Sequence, residues 1–458
     1  MTCSTTTQLC AAGLRARCAA AVCIGLVTRV LAAAALLAAC DSARADGPSA
    51  LENVNRIVFL GDSITYGGQY IDYVDAYLVT RYPDRKIEVV NIGLPSETAS
   101  GLSEPGHAGG KFPRPCVHER LARLLPKAKA DLIVACYGMN DGIYYPLGEE
   151  RLKAFQDGIR RLADAVTAAK ARLLLLTPPT FDPVPLKGRT LPAGLDAYPK
   201  PYERYDGVLA KYGEWLLEQR AKGWAVGDIH GPMARHLAER RKEKPDFLFA
   251  GDGVHANATG HWLMAQAVLG VWEVPADVDA AVIDAAAGKV VEGKVTALAA
   301  DAGGLRFSWL TRRPMPMDPA WDAESVKFER IADRFNRHRL TVKGAPAAQY
   351  QLYEGQTALG TVTREQLAAG VDLLQFPELS TNRGGPELLK LIRKRGRILC
   401  DAYLSDIGHQ RPGMAKGLPP DEAIKQAAEL DAQIRQMAAP VTLSLRLAAA
   451  GASGAAKP

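Results

Sequence analysis

The sequence predicts an open α/β fold, a parallel sheet with helices on both faces, followed by a smaller α+β accessory module. Three observations point there. Five short apolar runs are nearly continuous rather than alternating, as strands covered on both faces require. The stretches between them carry apolar residues at helical spacing. Strand and helix alternate along the chain, the pattern of a parallel sheet.

The runs are Arg56 to Leu60 (RIVFL), Ile87 to Asn91 (IEVVN), Asp131 to Tyr137 (DLIVACY), Arg172 to Thr177 (RLLLLT) and Trp224 to Ile229 (WAVGDI). Before the fourth, Leu152, Phe155, Ile159, Leu162 and Val166 mark one helix face; before the fifth, Tyr205, Val208, Tyr212 and Leu216 do the same. Two long loops leave the same edge of this sheet. One is Gly101 to Arg114 (GLSEPGHAGGKFPR), after the second run; the other is the proline-rich stretch Thr177 to Tyr202, after the fourth. Loops of this length in a compact domain are functional or disordered.

Composition shifts after about Glu273. Lys289 to Leu298 and Leu305 to Leu310 read as a strand pair, with further strands at Arg339 to Val342, Gln349 to Tyr353, Gly360 to Val362 and Val441 to Leu447. Helical stretches fall near Glu387 to Arg397 and Asp421 to Met437. The expected organisation is a leader at 1–45, an α/β domain at 46–275, the accessory module at 276–447 and a mobile tail at 448–458.

The 458 residues are 48% hydrophobic and 23% charged, which excludes collagen-like, coiled-coil and wholly disordered chains. The formal charge is +6; Arg15, Arg17 and Arg29 lie before residue 40, where there is no acid, so most of the chain is nearly balanced. That balance gives no electrostatic case for nucleic acid. The run Val30 to Ala39 follows those arginines. It is shorter than the ~20 residues a membrane span needs and reads as an export leader. Ala43-Arg44-Ala45 is a small-x-small cleavage site, and Leu37-Ala38-Ala39-Cys40 resembles a bacterial lipobox with Cys40 as the acylated residue. The expected location is outside the cytoplasm: periplasm, cell envelope or secreted. A lipid on Cys40 is the one membrane contact expected. Cys116, Cys136 and Cys400 remain beyond the leader, neither a disulfide framework nor a metal-ligand pattern. Export permits a Cys116–Cys400 bridge without arguing for it.

The chemistry gathers at the strand ends. The first strand runs into Gly61-Asp62-Ser63, which places a serine hydroxyl clear of the sheet at the start of a helix. The second ends in Asn91-Ile92-Gly93, where a glycine lets backbone N–H approach a ligand, and the third in Gly138-Met139-Asn140-Asp141, which adds an amide donor. Ligands of open α/β sheets bind outside the carboxyl ends of the strands. Ser63, Gly93 and Asn140 therefore converge, and Ser63 N–H, Gly93 N–H and the Asn140 amide are expected to surround a developing oxyanion. Gly251-Asp252-Gly253-Val254-His255 supplies a carboxylate and an imidazole three residues apart. Asp252 would orient His255, leaving Nε2 to take the Ser63 proton.

These four blocks, in this order, resemble the SGNH/GDSL hydrolase family over about residues 55–272. The resemblance implies a flavodoxin-like three-layer α/β/α fold with a five-stranded parallel sheet, and esterase or lipase activity. It implies Ser63 as nucleophile, His255 as base, Asp252 as its orienter, and Gly93 and Asn140 as oxyanion donors. The accessory region lies outside it, and the Gly-x-Ser-x-Gly elbow of other lipases is absent.

The expected function is hydrolysis of an acyl ester, acetyl or short-chain, on a small molecule or a polysaccharide, with no metal and no organic cofactor. Tyr144, Tyr145, Phe181, Tyr198 and Tyr202 in the loops offer flat faces suited to sugar rings as well as to packing. Rival readings are a lysophospholipase or thioesterase of the same family and a non-catalytic glycan-binding envelope lipoprotein. A metal-dependent phosphoesterase would need more ligands than Asp62, Asp228 and His230. Asp228, His230, His107, His118 and His261 read as structural or solvated, Asp141 as a turn cap, and His338 and His409 as unpartnered. Oligomeric state is not legible.

Overall fold

The computed structural model describes residues 48–301, 304–412 and 416–450. From Asn53 onward the chain forms one compact unit. Its first sheet has strands β1 (Arg56–Gly61), β2 (Glu88–Asn91), β3 (Leu132–Cys136), β4 (Arg172–Leu176) and β5 (Ala225–Gly227), all parallel, in the order β2-β1-β3-β4-β5. This is the flavodoxin-like order. The chain steps outward from β1 to β2 and then crosses back to β3, and that reversal opens a crevice at the carboxyl ends of β1 and β3.

Helices α1 (Ser63–Gly67), α2 (Gln69–Arg81), α3 (Val117–Ala128), α4 (Glu149–Ala168), α5 (Tyr205–Glu218), α6 (His230–Glu243) and α7 (Ala258–Val271) belong to the same domain. Helical spacing decides which residues go inside. Phe155, Ile159, Leu162 and Val166 of α4 are buried, as are Tyr205, Val208, Tyr212 and Leu216 of α5. Phe155 stacks on Tyr212 at 4.5 Å between ring centroids, joining the two helices. Leu152, expected on this face, is only half-buried. At the end of β1, Gly61 lets the following turn fold back onto the sheet. A Cβ there would lie 2.2 Å from Thr65 Oγ1 and 2.6 Å from Cys136 O.

The C-terminal region holds two further sheets. β6 (Asp277–Asp284), β7 (Lys289–Glu292), β10 (Arg337–Lys343) and β13 (Val371–Asp372) form one, in the order β13-β10-β6-β7. β8 (Val295–Asp301), β9 (Gly304–Thr311), β11 (Gln349–Glu354), β12 (Thr357–Thr363) and β14 (Val441–Ala449) form an antiparallel one, β12-β11-β14-β9-β8. Both contribute to one core containing Ile283, Phe307, Trp309, Leu340, Val342, Leu352 and Leu443. Inward residues of β9 and β14 alternate with more exposed ones, as one-sided strands do. Between these strands lie α8 (Ala323–Phe328), α9 (Ile331–Phe335), α10 (Arg364–Ala369), α11 (Gly385–Ile407) and α12 (Pro420–Ala438).

This region is knit to the α/β domain. Trp262 of α7 packs on Trp321 and Phe335 at 4.6 and 5.5 Å. The Tyr73 hydroxyl donates to Asp318 Oδ2 at 2.7 Å, and buried Arg81 donates to the carbonyls of Asp277 and Phe335 at 2.6 and 2.7 Å. Arg395 of α11 pairs with buried Asp75 of α2, and Arg56 on β1 donates to the Tyr403 hydroxyl at 3.3 Å. Cys116, Cys136 and Cys400 are all free thiols. The leader, including Cys40, and most of the expected tail lie outside the described residues. No described helix is long and apolar enough to cross a membrane.

Candidate active site

Ser63 is the first residue of α1, directly past β1, so its N–H has no intrahelical acceptor. Asp62 starts the helix as its cap, Oδ1 accepting from Ile64 N–H at 2.9 Å. Asp62 is buried, and desolvation pushes its carboxyl up to about 7 against the pull of that hydrogen bond.

His255 reaches Ser63 from a turn just ahead of α7. The Ser63 hydroxyl donates to His255 Nε2 at 2.8 Å, and His255 Nδ1–H donates to Asp252 Oδ2 at 2.6 Å. The other carboxylate oxygen accepts the N–H groups of Val254 and His255 at 3.0 and 2.8 Å, so one aspartate shapes the turn and aims the ring. A carboxylate can only accept, which assigns the ring proton to Nδ1 and leaves Nε2 as the acceptor facing the serine. Partial burial raises the Asp252 carboxyl, but the His255 side chain and the two N–H donors outweigh it and hold it below the usual carboxylate range. The pair stands open to solvent, with His255 and Asp252 side chains 52% and 56% exposed.

Asn140 lies past the end of β3, across the crevice from Ser63. Its Nδ2 approaches Asp62 Oδ2 and the Glu97 carbonyl, both at 3.3 Å, and its Oδ1 accepts from Arg114 Nη1 at 2.9 Å. Gly93 departs from expectation. Its N–H donates to Asn91 Oδ1 at 2.9 Å and is not offered to the site. The glycine supplies space instead, because a Cβ there would lie 2.4 Å from Tyr66 N and 2.7 Å from Thr65 C, where α1 crosses the loop. A serine, an imidazole, a carboxylate and an amide donor thus meet at the crevice, an arrangement suited to acyl transfer.

Residues 59–263 match the model of the GDSL-like lipase/acylhydrolase family. They form a GDSL-like acylhydrolase domain. The chain is accordingly an ester-hydrolysing enzyme. Among solved structures, a gut microbial diltiazem-metabolizing enzyme shares the fold with a TM-score of 0.69 at 20% identity, over 87% of this chain and 98% of its own. That span reaches well past residue 263, so the likeness of fold takes in much of the C-terminal region. A catalytic mutant of an acetylxylan esterase from Geobacillus stearothermophilus aligns over 48% of this chain and 95% of its own, at 19% identity and a TM-score of 0.36. No curated protein matches the chain.

The acylhydrolase domain holds the loop after β2 with a buried ion pair that the motifs do not announce. Arg120 on α3 donates to both oxygens of Glu97 at 2.7 Å, and to the Ile92 carbonyl at 2.9 Å; the Tyr137 hydroxyl donates to Glu97 Oε2 at 2.7 Å. Both charges are fully buried. Arg120→Met would strand the Glu97 charge, and we expect urea unfolding to show a loss of about 3–5 kcal/mol. Arg120→Met with Glu97→Gln should recover part of it; equal stability of the single variant and the parent would contradict this account.

Asp141 reaches beyond its own turn. Its Oδ1 accepts N–H from Ala99 and Ser100 at 2.8 and 2.7 Å, tying the β2 loop to the end of β3. His261 is buried against Tyr70, and desolvation pushes its imidazole down to about 3, which leaves it neutral. His107 donates to Phe112 O at 3.0 Å and His118 to Gly158 O at 3.1 Å. Asp228 accepts from Gly231 N–H at 3.0 Å, and His230 donates to Asp206 at 3.1 Å. His338 and His409 do have partners, the Thr311 hydroxyl at 2.9 Å and Arg411 N–H at 2.9 Å. Among the described residues, no three His, Cys, Asp or Glu side chains gather as metal ligands.

The loop aromatics mostly face one another. Phe181, Tyr198 and Tyr202 are buried. Tyr144 carries Tyr205 at 4.9 Å and the Arg114 guanidinium at 5.5 Å; Tyr145 carries Tyr198 at 4.9 Å and Arg151 at 5.5 Å. Next to them the two long loops enclose a cleft of about 480 Å³ lined by Glu104, Arg114, Tyr144, Tyr145, Tyr198 and Lys200, among others.

A second chain of the same form lies elsewhere. His236 on α6 donates to Glu329 Oε1 at 2.7 Å and accepts from the Ser325 hydroxyl at 2.8 Å. His236 and Ser325 are 0% and 2% exposed, so this trio bridges α6 and α8 without access for a substrate.

Proposed function

We propose that this enzyme is an exported serine esterase that removes a short acyl group, acetyl above all, from a polar alcohol such as a sugar hydroxyl. The observation that carries the reading is the hydrogen-bonded chain from Asp252 through His255 to the Ser63 hydroxyl, at 2.6 and 2.8 Å. His255 Nε2 takes the Ser63 proton as Oγ bonds to the ester carbonyl carbon. The oxygen of that carbonyl becomes an oxyanion, facing Ser63 N–H and Asn140 Nδ2. Collapse breaks the ester C–O bond, His255 returns the proton to the departing alcohol, and the acyl group stays on Ser63. Water then gives a proton to His255, attacks the acyl carbon, and releases the carboxylic acid as Ser63 regains its proton. Every step is a proton or acyl transfer, so the cycle calls on no metal or organic cofactor.

Asn140→Ala should lower kcat for p-nitrophenyl acetate about 10²–10³-fold with little change in KM, the scale of one lost oxyanion donor. A loss confined to KM would remove Asn140 from the oxyanion role.

The alcohol side of the reading draws support from the 480 Å³ cleft, whose tyrosines, Glu104 and Lys200 suit hydroxyl-rich partners better than aliphatic ones. The faces of Tyr144 and Tyr145 are taken by neighbours, so this reading has the sugar held through its hydroxyls rather than by ring stacking. A series from p-nitrophenyl acetate to longer acyl chains, run beside acetylated xylan, tests both halves. The expected result is fastest turnover of acetyl, with acetate released from the polysaccharide. Rates that climb with acyl length would favour the lysophospholipase or thioesterase reading.

Export rests on the leader alone. Mass spectrometry of the mature N-terminus should find either a lipid-modified Cys40 or a chain starting at Asp46; an intact leader on protein recovered from the cytoplasm would overturn it.

A further inference from the structure

Asn140 can serve an oxyanion only if its amide faces the right way, and the side chain that sets this comes from outside the sequence blocks. Arg114 closes the long loop after β2 and is almost wholly buried. Its Nη1–H donates to Asn140 Oδ1 at 2.9 Å, while Nε and Nη2 donate to the two oxygens of Glu104 at 2.7 Å each. The Tyr144 hydroxyl approaches the same Asn140 oxygen at 3.4 Å. With a guanidinium N–H on Oδ1, flipping the amide would set Nδ2 against a group that can only donate, so Nδ2 is held on the side of Asp62, the residue before Ser63. There it makes only the two long contacts of 3.3 Å, to Asp62 and Glu97, which it can give up to a developing oxyanion.

We propose that Arg114 is a positioning residue for ester hydrolysis: clamped by Glu104, it locks the Asn140 amide and polarises its N–H toward the reaction centre. The inference rests on Asn140 being an oxyanion donor. The competing account is that Arg114 only staples its loop to Glu104.

A double-mutant cycle separates the two. Arg114→Met is combined with Glu104→Gln, so that no partly buried carboxylate is left alone, and the pair is placed in the parent and in Asn140→Ala. Kinetics use p-nitrophenyl acetate, and thermal unfolding verifies the fold. In the parent the pair should lower kcat about tenfold or more, the effect of one lost charge-assisted hydrogen bond, with KM within about twofold. In Asn140→Ala it should change kcat less than about twofold, because Arg114 acts through that amide. Equal losses in both backgrounds, or none in the parent, would overturn the proposal. If the neutral pair does not fold, Arg114→Lys run through the same two backgrounds is read by the same criteria. Parent-like kcat in Asn140→Ala itself would instead overturn the oxyanion reading, and this inference with it.

Discussion

Ser63→Ala is expected to remove turnover of p-nitrophenyl acetate almost completely, by a factor on the order of 10⁶ in kcat, as loss of the nucleophile in a serine triad does. The size follows from the mechanism. In the proposed mechanism no acyl-enzyme forms without Oγ, and what is left is the small acceleration from binding and the proposed oxyanion donors. The substitution removes one hydroxyl at a half-exposed position whose single side-chain partner is His255, so the unfolding midpoint should stay close to the parent's. Loss of activity with an unchanged midpoint is the expected pair of results. Hydrolysis within tenfold of the parent would strike Ser63 from the mechanism.

Asp252→Asn comes second, with an expected fall in kcat of about 10³–10⁴-fold at unchanged KM. The asparagine oxygen can still accept the N–H groups of Val254 and His255, so the turn survives. What changes is the tautomer. An amide N–H facing Nδ1 drives the ring proton to Nε2, and a protonated Nε2 cannot take the proton of Ser63. Because the carboxylate is 56% exposed, solvent screens its charge, and most of the expected loss comes from the misplaced proton. Steady-state kinetics tests this directly; a variant within tenfold of the parent would mean that His255 is oriented by something other than Asp252.

Much of the fold and of the site is legible in the amino-acid sequence. Strands buried on both faces write themselves as continuous apolar runs, and all five strands of the first sheet fall within a residue or two of theirs. Asp252 and His255 are visible as a pair because a spacing of three fits one turn. Ser63 and His255 lie 192 residues apart, and only the rule that sites form at the carboxyl ends of parallel strands brings them together. What was not legible depends on packing. β6 reads Asp-Val-Asp-Ala-Ala-Val-Ile-Asp, its β-branched residues broken up by three aspartates and two alanines, and is drawn into a strand by pairing in parallel with β10. Gly93 looks like a donor in sequence, but the Asn91 side chain claims its N–H. Arg114 and Glu104 sit in a loop with no periodic signal, ten residues apart, and acquire meaning only when Arg114 meets Asn140. The tyrosines advertise flat surfaces, while their neighbours decide which stay open.

The central claim is that one serine, activated by His255, performs the chemistry. Labelling the folded enzyme with a fluorophosphonate, followed by peptide mass spectrometry, tests it most directly. The account predicts a single adduct on Ser63, lost when His255 is replaced by alanine. An adduct on another residue, the buried Ser325 included, or labelling of Ser63 that survives His255→Ala at the parent rate, would contradict it.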